Sequence, residues 1–264
     1  MMVSMQTCKR ALITFGCSWT SGIGVGYRPG MSKEEFQKIA WDKQFTNPLS
    51  FRGIISREYG FDNISFAYGG SSNQMQFRLA KEFFVSSQFD ELRKNYEDIV
   101  VLWTITSTAR NEMFSIEKNS LYNFKYDETD TNLVQAIAKF SYNHDHEVKM
   151  LTTEMLFWND YFKHKGLKNI WLDMFNHHNY SIDIKNLIGN ESNCRDMLSQ
   201  LCIKNGFKDI DKNYHKSSWH IDSNRVSFLV DCGVLNPISK HPTELGHRQI
   251  TELIIESVQG SILR

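Results

Sequence analysis

The chain has 264 residues, and its 30 lysine and arginine residues are balanced by 30 aspartate and glutamate residues. This balance, with no basic stripe, argues against nucleic-acid binding. No apolar run reaches the roughly 18 residues of a membrane-spanning helix, and no apolar signal-peptide core precedes residue 11. We therefore expect a cytoplasmic protein without a membrane partner, built as one α/β domain over residues 1–264.

The first predicted element is a buried strand at residues 11–15, which leads into a turn around a serine. Gly16 lets the backbone turn tightly, and Ser18 then lies at the carboxyl end of the strand. Ligands bind at this edge in open α/β sheets, and a hydroxyl held there is placed as a nucleophile. A serine that merely caps the next helix is the alternative. Cys17 is a rival nucleophile, although a small buried residue is the simpler interpretation.

Strand and helix patterns alternate along the rest of the chain, which predicts a mostly parallel sheet covered by helices on both faces. A capping box formed by Ser32 and Glu35 marks one helix start, and the apolar run from Ile99 to Trp103 is typical of a doubly buried strand. In chain order we predict helices at 32–41 and 48–59, a strand at 63–67, a helix at 73–84, a strand at 98–105, a helix at 148–162, a strand at 167–175, and helices at 196–204 and 250–262. Irregular insertions are expected around 113–135 and 205–235.

A second motif follows the strand at 63–67 and contains Gly69 and Gly70. Glycines allow the backbone to approach a ligand closely, and free N–H groups at a helix start favour a negatively charged oxygen. These are the requirements of an oxyanion hole. The alternative is a tight turn in which Ser71 or Ser72 caps the following helix.

The third motif runs from His241 to His247 and precedes the final helix. Pro242 holds the preceding His241 in an extended conformation, at a loop position that suits a group exchanging protons near neutral pH. A structural histidine is the alternative. The order along the chain is thus a serine turn, a glycine turn and a late histidine.

The three motifs together resemble the GDSL/SGNH hydrolase family over residues 14–247. Gly16-Cys17-Ser18-Trp19 is similar to its Gly-Asp-Ser-Leu turn, and His241–His247 is similar to its His-Pro-x-x-x-Gly-His ending. The turn is closest to divergent members associated with phage and bacterial genomes. The resemblance implies a flavodoxin-like three-layer α/β/α domain and ester hydrolysis without metal or cofactor. It makes Ser18 the nucleophile, His241 the general base, and the Ser18 and Gly70 N–H groups oxyanion donors.

The position that holds an orienting aspartate in the family, three residues before the histidine, is Ile238 in this chain. Either Asp231 or Asp222 would then have to reach the imidazole from upstream, or a backbone carbonyl would have to orient it. We take Asp231 as the candidate for the acid that orients His241.

The family's Gly-x-Asn-Asp block is also missing after the third predicted strand. Thr104 or Thr106 can donate a hydrogen bond in place of the asparagine, and Asn73 can assist from the second motif. Arg110 is a candidate for binding an anionic group of the substrate, and a surface ion pair with Glu112 or another acid is the alternative.

A metal site is not indicated by the remaining histidines or by the five cysteines, which form no C-x-x-C pair. His144 and His146 lie in a polar run, and His220 stands near Asp222 without cysteine partners. His177 and His178 follow a predicted strand and are candidates for lining the pocket.

The sequence therefore favours a serine esterase that acts on a small-molecule or carbohydrate ester, with an O-acetyl group on a carbohydrate as the substrate that the resemblance suggests. The loss of the aspartate at Ile238 keeps open a catalytically impaired binding or assembly module of the same fold. An O-acyltransferase is a third possibility. The acyl group, the alcohol and the oligomeric state are not encoded in recognisable motifs.

Overall fold

The computed structural model describes residues 9–115, 120–125, 142–175, 180, 184, 186–188, 196–207, 223–258 and 262–263. Within these residues the chain forms six strands and ten helices. In chain order they are β1 (Arg10–Gly16), α1 (Ser18–Ser21), α2 (Lys33–Ala40), α3 (Lys43–Leu49), α4 (Phe51–Tyr59), β2 (Phe61–Ala67), α5 (Asn73–Phe84), α6 (Ser87–Asn95), β3 (Asp98–Ile105), β4 (Arg110–Ser115), β5 (Ser120–Lys125), α7 (His144–Lys165), β6 (Lys168–Asp173), α8 (Met197–Lys204), α9 (Ser223–Asp231) and α10 (Glu244–Ser257).

Four parallel strands form the central sheet in the order β2-β1-β3-β6. Gly16 pairs with Ala67, and Ile105 pairs with Asp173, so the carboxyl ends of neighbouring strands lie at one edge of the sheet. The order matches a flavodoxin-like doubly wound sheet, in which this edge binds ligands. The prediction of a parallel sheet is confirmed.

Alternate residues of each strand face opposite sides of the sheet, and each side is covered by its own helices. Leu12 and Val100 pack towards α4, α8 and α10. Ile13 and Val101 pack towards α5, α6 and α7. This arrangement confirms the expected three-layer α/β/α architecture. In the part of the chain that the structure describes, every helix is too short or too polar to cross a bilayer.

One row of aromatic rings crosses the sheet on the side of α5 to α7, with one ring from each strand. The row consists of Phe66, Phe15, Trp103 and Trp171, and neighbours in it are register partners. Their ring centroids are 5.1, 4.7 and 5.0 Å apart in that order. Stacked aromatic pairs contribute about 0.5–1.5 kcal/mol beyond the area that they bury. We call these four rings the aromatic row, and they stabilise the common register of the strands.

The helix predicted at 48–59 is two helices in the structure. Ser50 stands between α3 and α4, and its hydroxyl accepts a hydrogen bond from the N–H of Gly53 at 3.4 Å. Such a cap gives the chain a second helix start that apolar spacing alone does not reveal. The final helix also begins earlier than predicted, at Glu244, because Thr243 caps it.

Two segments expected to be irregular contain regular elements. The antiparallel hairpin of β4 and β5 begins at Arg110 and overlaps 113–135, and α9 lies inside 205–235. Met113 and Leu121 are exposed on the hairpin, so the backbone ladder forms there without the apolar alternation that signals a strand. Residues 116–119, 126–135 and 208–222 of these insertions lie outside the described residues.

We predict that Trp103→Ala lowers the free energy of unfolding by about 3–5 kcal/mol, because it removes a fully buried ring from the centre of the aromatic row. Trp103→Phe keeps a ring there and should lose less. Urea denaturation measures both. Trp41 is 65% exposed, and Trp41→Ala is the matched control, with an expected change within about 0.5 kcal/mol. Equal losses for Trp103→Ala and Trp41→Ala would contradict the prediction.

Candidate active site

Ser18 begins α1 directly after β1 and lies at the carboxyl edge of the sheet. The residue is 8% exposed, and its Oγ makes no hydrogen bond within the described part of the chain. Its N–H belongs to the first turn of the helix and so has no intrahelical acceptor. Ser18 thus presents both a hydroxyl and an amide that are available to a ligand.

The hydroxyl groups of two threonines, Thr20 and Thr104, pack against the turn before Ser18. A Cβ on Gly16 would lie 2.1 Å from the Oγ1 of Thr104 and 2.2 Å from the Oγ1 of Thr20, so only glycine fits there. These two hydroxyls are hydrogen-bonded to each other at 2.6 Å, and that of Thr104 also reaches the Phe15 carbonyl at 3.3 Å. Thr104 is fully buried. Its hydroxyl supports the turn, and the geometry offers no reason to assign it to an oxyanion.

Gly70 lies in the turn after β2 and adopts a left-handed conformation with a φ of 76°. It is exposed, and its N–H has no acceptor among the described residues. The turn is tied to the serine turn, because the Gly16 carbonyl accepts from the Tyr68 N–H at 3.1 Å and from the Ser71 hydroxyl at 2.9 Å. Ser72 caps α5, so the capping interpretation holds alongside an accessible amide at Gly70.

Asn73 clamps the loop after β3 to the start of α5. Its Nδ2 donates to the Thr106 carbonyl, and its Oδ1 accepts from the Thr106 N–H, both at 2.9 Å. One hydrogen of the Asn73 Nδ2 is left for a ligand. The serine turn, the Gly70 turn and the Thr106 loop are therefore joined by direct hydrogen bonds.

A buried chain of polar contacts connects this edge to the aromatic row. The Trp103 indole N–H donates to Gln76 Oε1 at 2.8 Å, and Gln76 Nε2 reaches the Ser71 hydroxyl at 3.5 Å. That hydroxyl in turn binds the Gly16 carbonyl. Packing in the core thus fixes the backbone on which Ser18 stands.

His241 is oriented by a main-chain group. Its Nδ1 lies 2.7 Å from the carbonyl oxygen of Ser239. A carbonyl oxygen only accepts, so Nδ1 carries the proton and Nε2 is the basic nitrogen of the neutral ring. Burial lowers the pKa of His241 to about 4, with a smaller lowering from the charge of Arg110 and an opposing effect of the Ser239 bond. The imidazole is therefore neutral at pH 7.

Asn236 holds the loop that presents the Ser239 carbonyl. Its Oδ1 accepts from the N–H of Ser239 at 2.7 Å and from its hydroxyl at 3.0 Å. Its own N–H and its Nδ2 donate to the carbonyl of His241 at 2.9 and 3.0 Å. Sequence reasoning missed this residue, although the dipeptide Asn236-Pro237 is a turn signal.

The turn after α1 brings Ser18 and His241 to the same edge. The Ile23 N–H donates to the Ser18 carbonyl at 3.2 Å. A Cβ on the next residue, Gly24, would lie 2.9 Å from the Cβ of His241. The Ser18 hydroxyl and the His241 imidazole are not hydrogen-bonded to each other in this structure, and such bonds often form only when substrate is bound.

The structure does not place Asp231 behind the imidazole. Asp231 is exposed at the end of α9, and the Nδ1 position of His241 is filled by the Ser239 carbonyl. Asp222 lies outside the described residues. Ile238, at the position of the family's aspartate, packs against a small apolar cluster that contains Phe36. Of the three candidate partners for the His241 imidazole, the structure shows a backbone carbonyl, that of Ser239, in contact with Nδ1.

Arg110 begins β4, and its guanidinium lies over the ring of Phe175 at 5.6 Å from the centroid. The Phe175 ring contacts that of Trp19, the neighbour of Ser18, edge to face at 4.8 Å. The candidate pocket residues His177 and His178 lie outside the described residues, as does His220. Among the described residues, no group of three or more histidines, cysteines, aspartates or glutamates is placed to hold a metal ion.

A buried arginine, Arg52, supports the end of α1. Its Nε donates to the Thr20 carbonyl at 2.9 Å, and one of its terminal nitrogens to the Ser21 carbonyl at 3.4 Å. A positive charge is favourable at the carboxyl end of a helix. Burial lowers the pKa of Arg52 to about 10, and the group remains charged at pH 7. Nothing in the local sequence of the predicted helix signals this role.

His247, the last residue of the third motif, is a buried structural group. Its Nδ1 accepts from the Phe51 N–H at 3.2 Å, and its ring stacks on Phe51. The neutral ring is therefore protonated on Nε2. Burial, followed by the charges of Arg52 and His241, lowers its pKa to about 3.

No family model matches this chain, and no curated protein sequence matches it. It is similar to the solved structure of a protein described as lipolytic, of the G-D-S-L family, from Desulfitobacterium hafniense, with 11% identity, a TM-score of 0.40, and coverage of 94% of this chain and 99% of that one. It is also similar to an acetyl xylan esterase from Butyrivibrio proteoclasticus, with 11% identity, a TM-score of 0.45, and coverage of 96% and 64%.

A third similar structure is a carbohydrate esterase family 2 enzyme with a carbohydrate binding domain from Myceliophthora fergusii, with 14% identity, a TM-score of 0.43, and coverage of 95% and 67%. The first of the three bears the family name that the motifs of this chain resemble. Matches with TM-scores below 0.5 do not assign a site, and the roles proposed below rest on the residues of this chain.

We predict that His247 makes the protein less stable as the pH falls. Its pKa lies below the ordinary value of 6.5 in the folded state, so the unfolded chain binds the proton more tightly. The stability that its neutral form contributes is present above pH 6.5 and is lost between 6.5 and about 3, by about 1.4 kcal/mol per pH unit. His247→Asn keeps an acceptor for the Phe51 N–H without titrating, so its unfolding free energy should fall less steeply from pH 7 to 4.5.

Urea denaturation at several pH values measures this slope, and the exposed His146→Asn is the control that should keep the wild-type slope. His241 adds its own share of the slope in all three proteins. A slope that is the same for wild type and His247→Asn would contradict the prediction.

Proposed function

We propose that this chain is a serine ester hydrolase of the SGNH type, with Ser18 as nucleophile and His241 as general base. The observation that carries the proposal is the 2.7 Å contact between His241 Nδ1 and the Ser239 carbonyl. This contact leaves a basic Nε2 on the sheet edge where Ser18 presents a hydroxyl without a partner among the described residues. A base and an unbound nucleophile at the start of a helix are the parts that acyl transfer requires.

In this proposal the Ser18 Oγ attacks the ester carbonyl carbon while His241 Nε2 takes the hydroxyl proton. The tetrahedral intermediate collapses, the bond to the alcohol oxygen breaks, and the imidazolium returns the proton to that oxygen. Water then attacks the acyl-serine, giving its proton to Nε2, and the acid leaves as Ser18 recovers its proton. The Ser239 carbonyl stabilises the imidazolium formed in each half.

The oxyanion that forms at the carbonyl oxygen needs donors that are in place before the reaction. The N–H groups of Ser18 and Gly70 serve as these donors, and the remaining Nδ2 hydrogen of Asn73 assists. The shared bonds of the Gly16 carbonyl to Tyr68 and Ser71 hold the two amides at a fixed separation.

We propose a carbohydrate as the alcohol part of the ester. Two exposed aromatic side chains lie beside the Gly70 turn. Trp41 is 65% exposed and lies against Gly69, and Tyr68 is 41% exposed. Exposed aromatic rings beside a candidate site offer a face on which a sugar ring can stack. A sugar ring stacked there would place an O-acetyl group within reach of Ser18.

We predict that Ser18→Ala abolishes both hydrolysis of p-nitrophenyl acetate and covalent labelling by a fluorophosphonate probe. The expected loss in kcat is at least about 10,000-fold, because no other hydroxyl occupies the nucleophile position. Intact-protein mass spectrometry and initial rates measure the two effects.

Two neighbouring variants are the controls for Ser18→Ala. Cys17→Ala removes the rival nucleophile and should still be labelled. Ser21→Ala removes a hydroxyl that is bonded to the Ser18 carbonyl and should retain labelling as well. A wild-type protein that is neither labelled nor active on any ester would refute the hydrolase and leave the binding or assembly module.

We predict that Asn236→Ala lowers kcat by about 10- to 100-fold with little change in KM, because the imidazole is no longer held in its productive orientation. The matched control is Ser239→Ala, which keeps the carbonyl and loses one hydroxyl bond to Asn236. It should stay within about threefold of wild type. A downfield Nδ1 proton resonance, present in wild type and Ser239→Ala and absent in Asn236→Ala, reports the bond directly. Equal kinetics for the two variants would contradict a positioning role for Asn236.

A further inference from the structure

Arg110 carries a positive charge that has no acidic partner among the described residues. One of its terminal nitrogens, Nη1, is buried and makes no hydrogen bond. A buried donor left unbonded costs about 1–3 kcal/mol, and more when the group is charged. The unbonded nitrogen of Arg110 therefore lowers the stability of the folded chain.

The acidic residue nearest in sequence is already used. Both carboxylate oxygens of Glu112 accept from Arg78, at 3.0 Å from Nε and 2.9 Å from Nη2. Arg78 also pairs with Glu82. The surface ion pair between Arg110 and Glu112 that the sequence left open does not form.

The surroundings of Arg110 belong to the candidate active site. Its guanidinium lies over the Phe175 ring, which contacts the Trp19 ring beside Ser18. A cation held over an aromatic face is fixed in position, and its fork of N–H donors then points in a defined direction. The positive charge of Arg110 also acts on His241, where it disfavours the protonated imidazole and so lowers its pKa.

This last effect opposes the catalysis proposed above, because the imidazole must become positively charged when it takes the Ser18 proton. This unfavourable interaction between the two positive charges is offset if a negatively charged group binds the guanidinium during the reaction. An arginine at this place is thus unfavourable for a neutral ester and favourable for an anionic one.

We propose that Arg110 binds a carboxylate of the substrate, so that the ester hydrolysed at Ser18 is an acidic one, such as an O-acetylated sugar acid. The proposal rests on the hydrolase function proposed above. The carboxylate takes two N–H donors of the guanidinium in a bidentate pair. It offsets the charge that acts on His241. The carboxylate can belong to the alcohol half or to the acyl half of the ester.

Matched ester pairs distinguish these two sources. For the alcohol half, an O-acetylated methyl galacturonide is compared with its carboxyl methyl ester. For the acyl half, p-nitrophenyl hemisuccinate is compared with p-nitrophenyl acetate. We expect kcat/KM to be about 10- to 100-fold higher for the charged member of one pair, as befits a hydrogen bond to a charged group. Part of the gain should appear in kcat, because the bound carboxylate favours the imidazolium.

Arg110→Gln should reduce the charged-to-neutral ratio of kcat/KM to near one, and Arg110→Lys should give an intermediate ratio, because it keeps the charge without the fork. Arg248→Gln is the control. Arg248 is exposed on α10 and pairs with Glu244, so its loss should leave the ratio unchanged. Thermal unfolding checks that each variant is folded.

Calorimetric titration of Ser18→Ala with the acetylated galacturonide and with hemisuccinate amide tests binding apart from catalysis. Adding Arg110→Gln should weaken binding of one of them at least about tenfold. A wild type that labels at Ser18 and hydrolyses p-nitrophenyl acetate without preferring either charged ester would overturn the role of Arg110 alone. Absence of labelling would refute the hydrolase, and the titration would still decide whether Arg110 binds a carboxylate.

Discussion

The common register of the four parallel strands is the constraint on which the candidate site depends. The aromatic row holds that register from inside the core, because a slip of one residue would move each ring to the opposite face of the sheet. With the register fixed, the strands end at one level and their following turns meet. The Gly16 carbonyl then joins two of these turns, and the Asn73 clamp joins a third. Packing in the core therefore fixes the relative positions of the turns at this edge of the sheet.

Local signals predicted the parts of the fold that depend on a few consecutive residues. The helix at 73–84 and the strand at 98–105 were placed with the bounds that the structure has, because one has a clear apolar face and the other an unbroken apolar run. The turns at Ser18 and Gly70 were found by glycine content and position. The β4–β5 hairpin was missed, since its stability comes from pairing between strands and its sequence lacks a regular apolar alternation, with Met113 and Leu121 exposed.

The supporting residues of the site could not be read from the sequence, because their partners are distant in the chain. Arg52 acts on carbonyls about thirty residues before it, and nothing around it in the helix indicates that its side chain turns inward. The family resemblance implies an aspartate at position 238, and its absence left Asp231, Asp222 or a backbone carbonyl as alternatives, of which Asp231 was the candidate. The structure instead shows an apolar contact at Ile238 and a carbonyl at Ser239. The sequence leaves a backbone carbonyl open as the partner, but a motif of side chains does not indicate which carbonyl it is.

A carbonyl partner for His241 has an evolutionary consequence. Every amino acid carries a main-chain oxygen, so no codon change at position 239 can delete this acceptor outright. Selection acts instead on whatever holds the peptide plane in place, which is the Asn236 amide and the left-handed backbone of Lys240, at a φ of 58°. A substitution at Ser239 therefore removes at most the hydroxyl bond to Asn236 and leaves the acceptor in place. The side chain at position 239 can therefore vary as long as Asn236 holds the loop that carries the carbonyl.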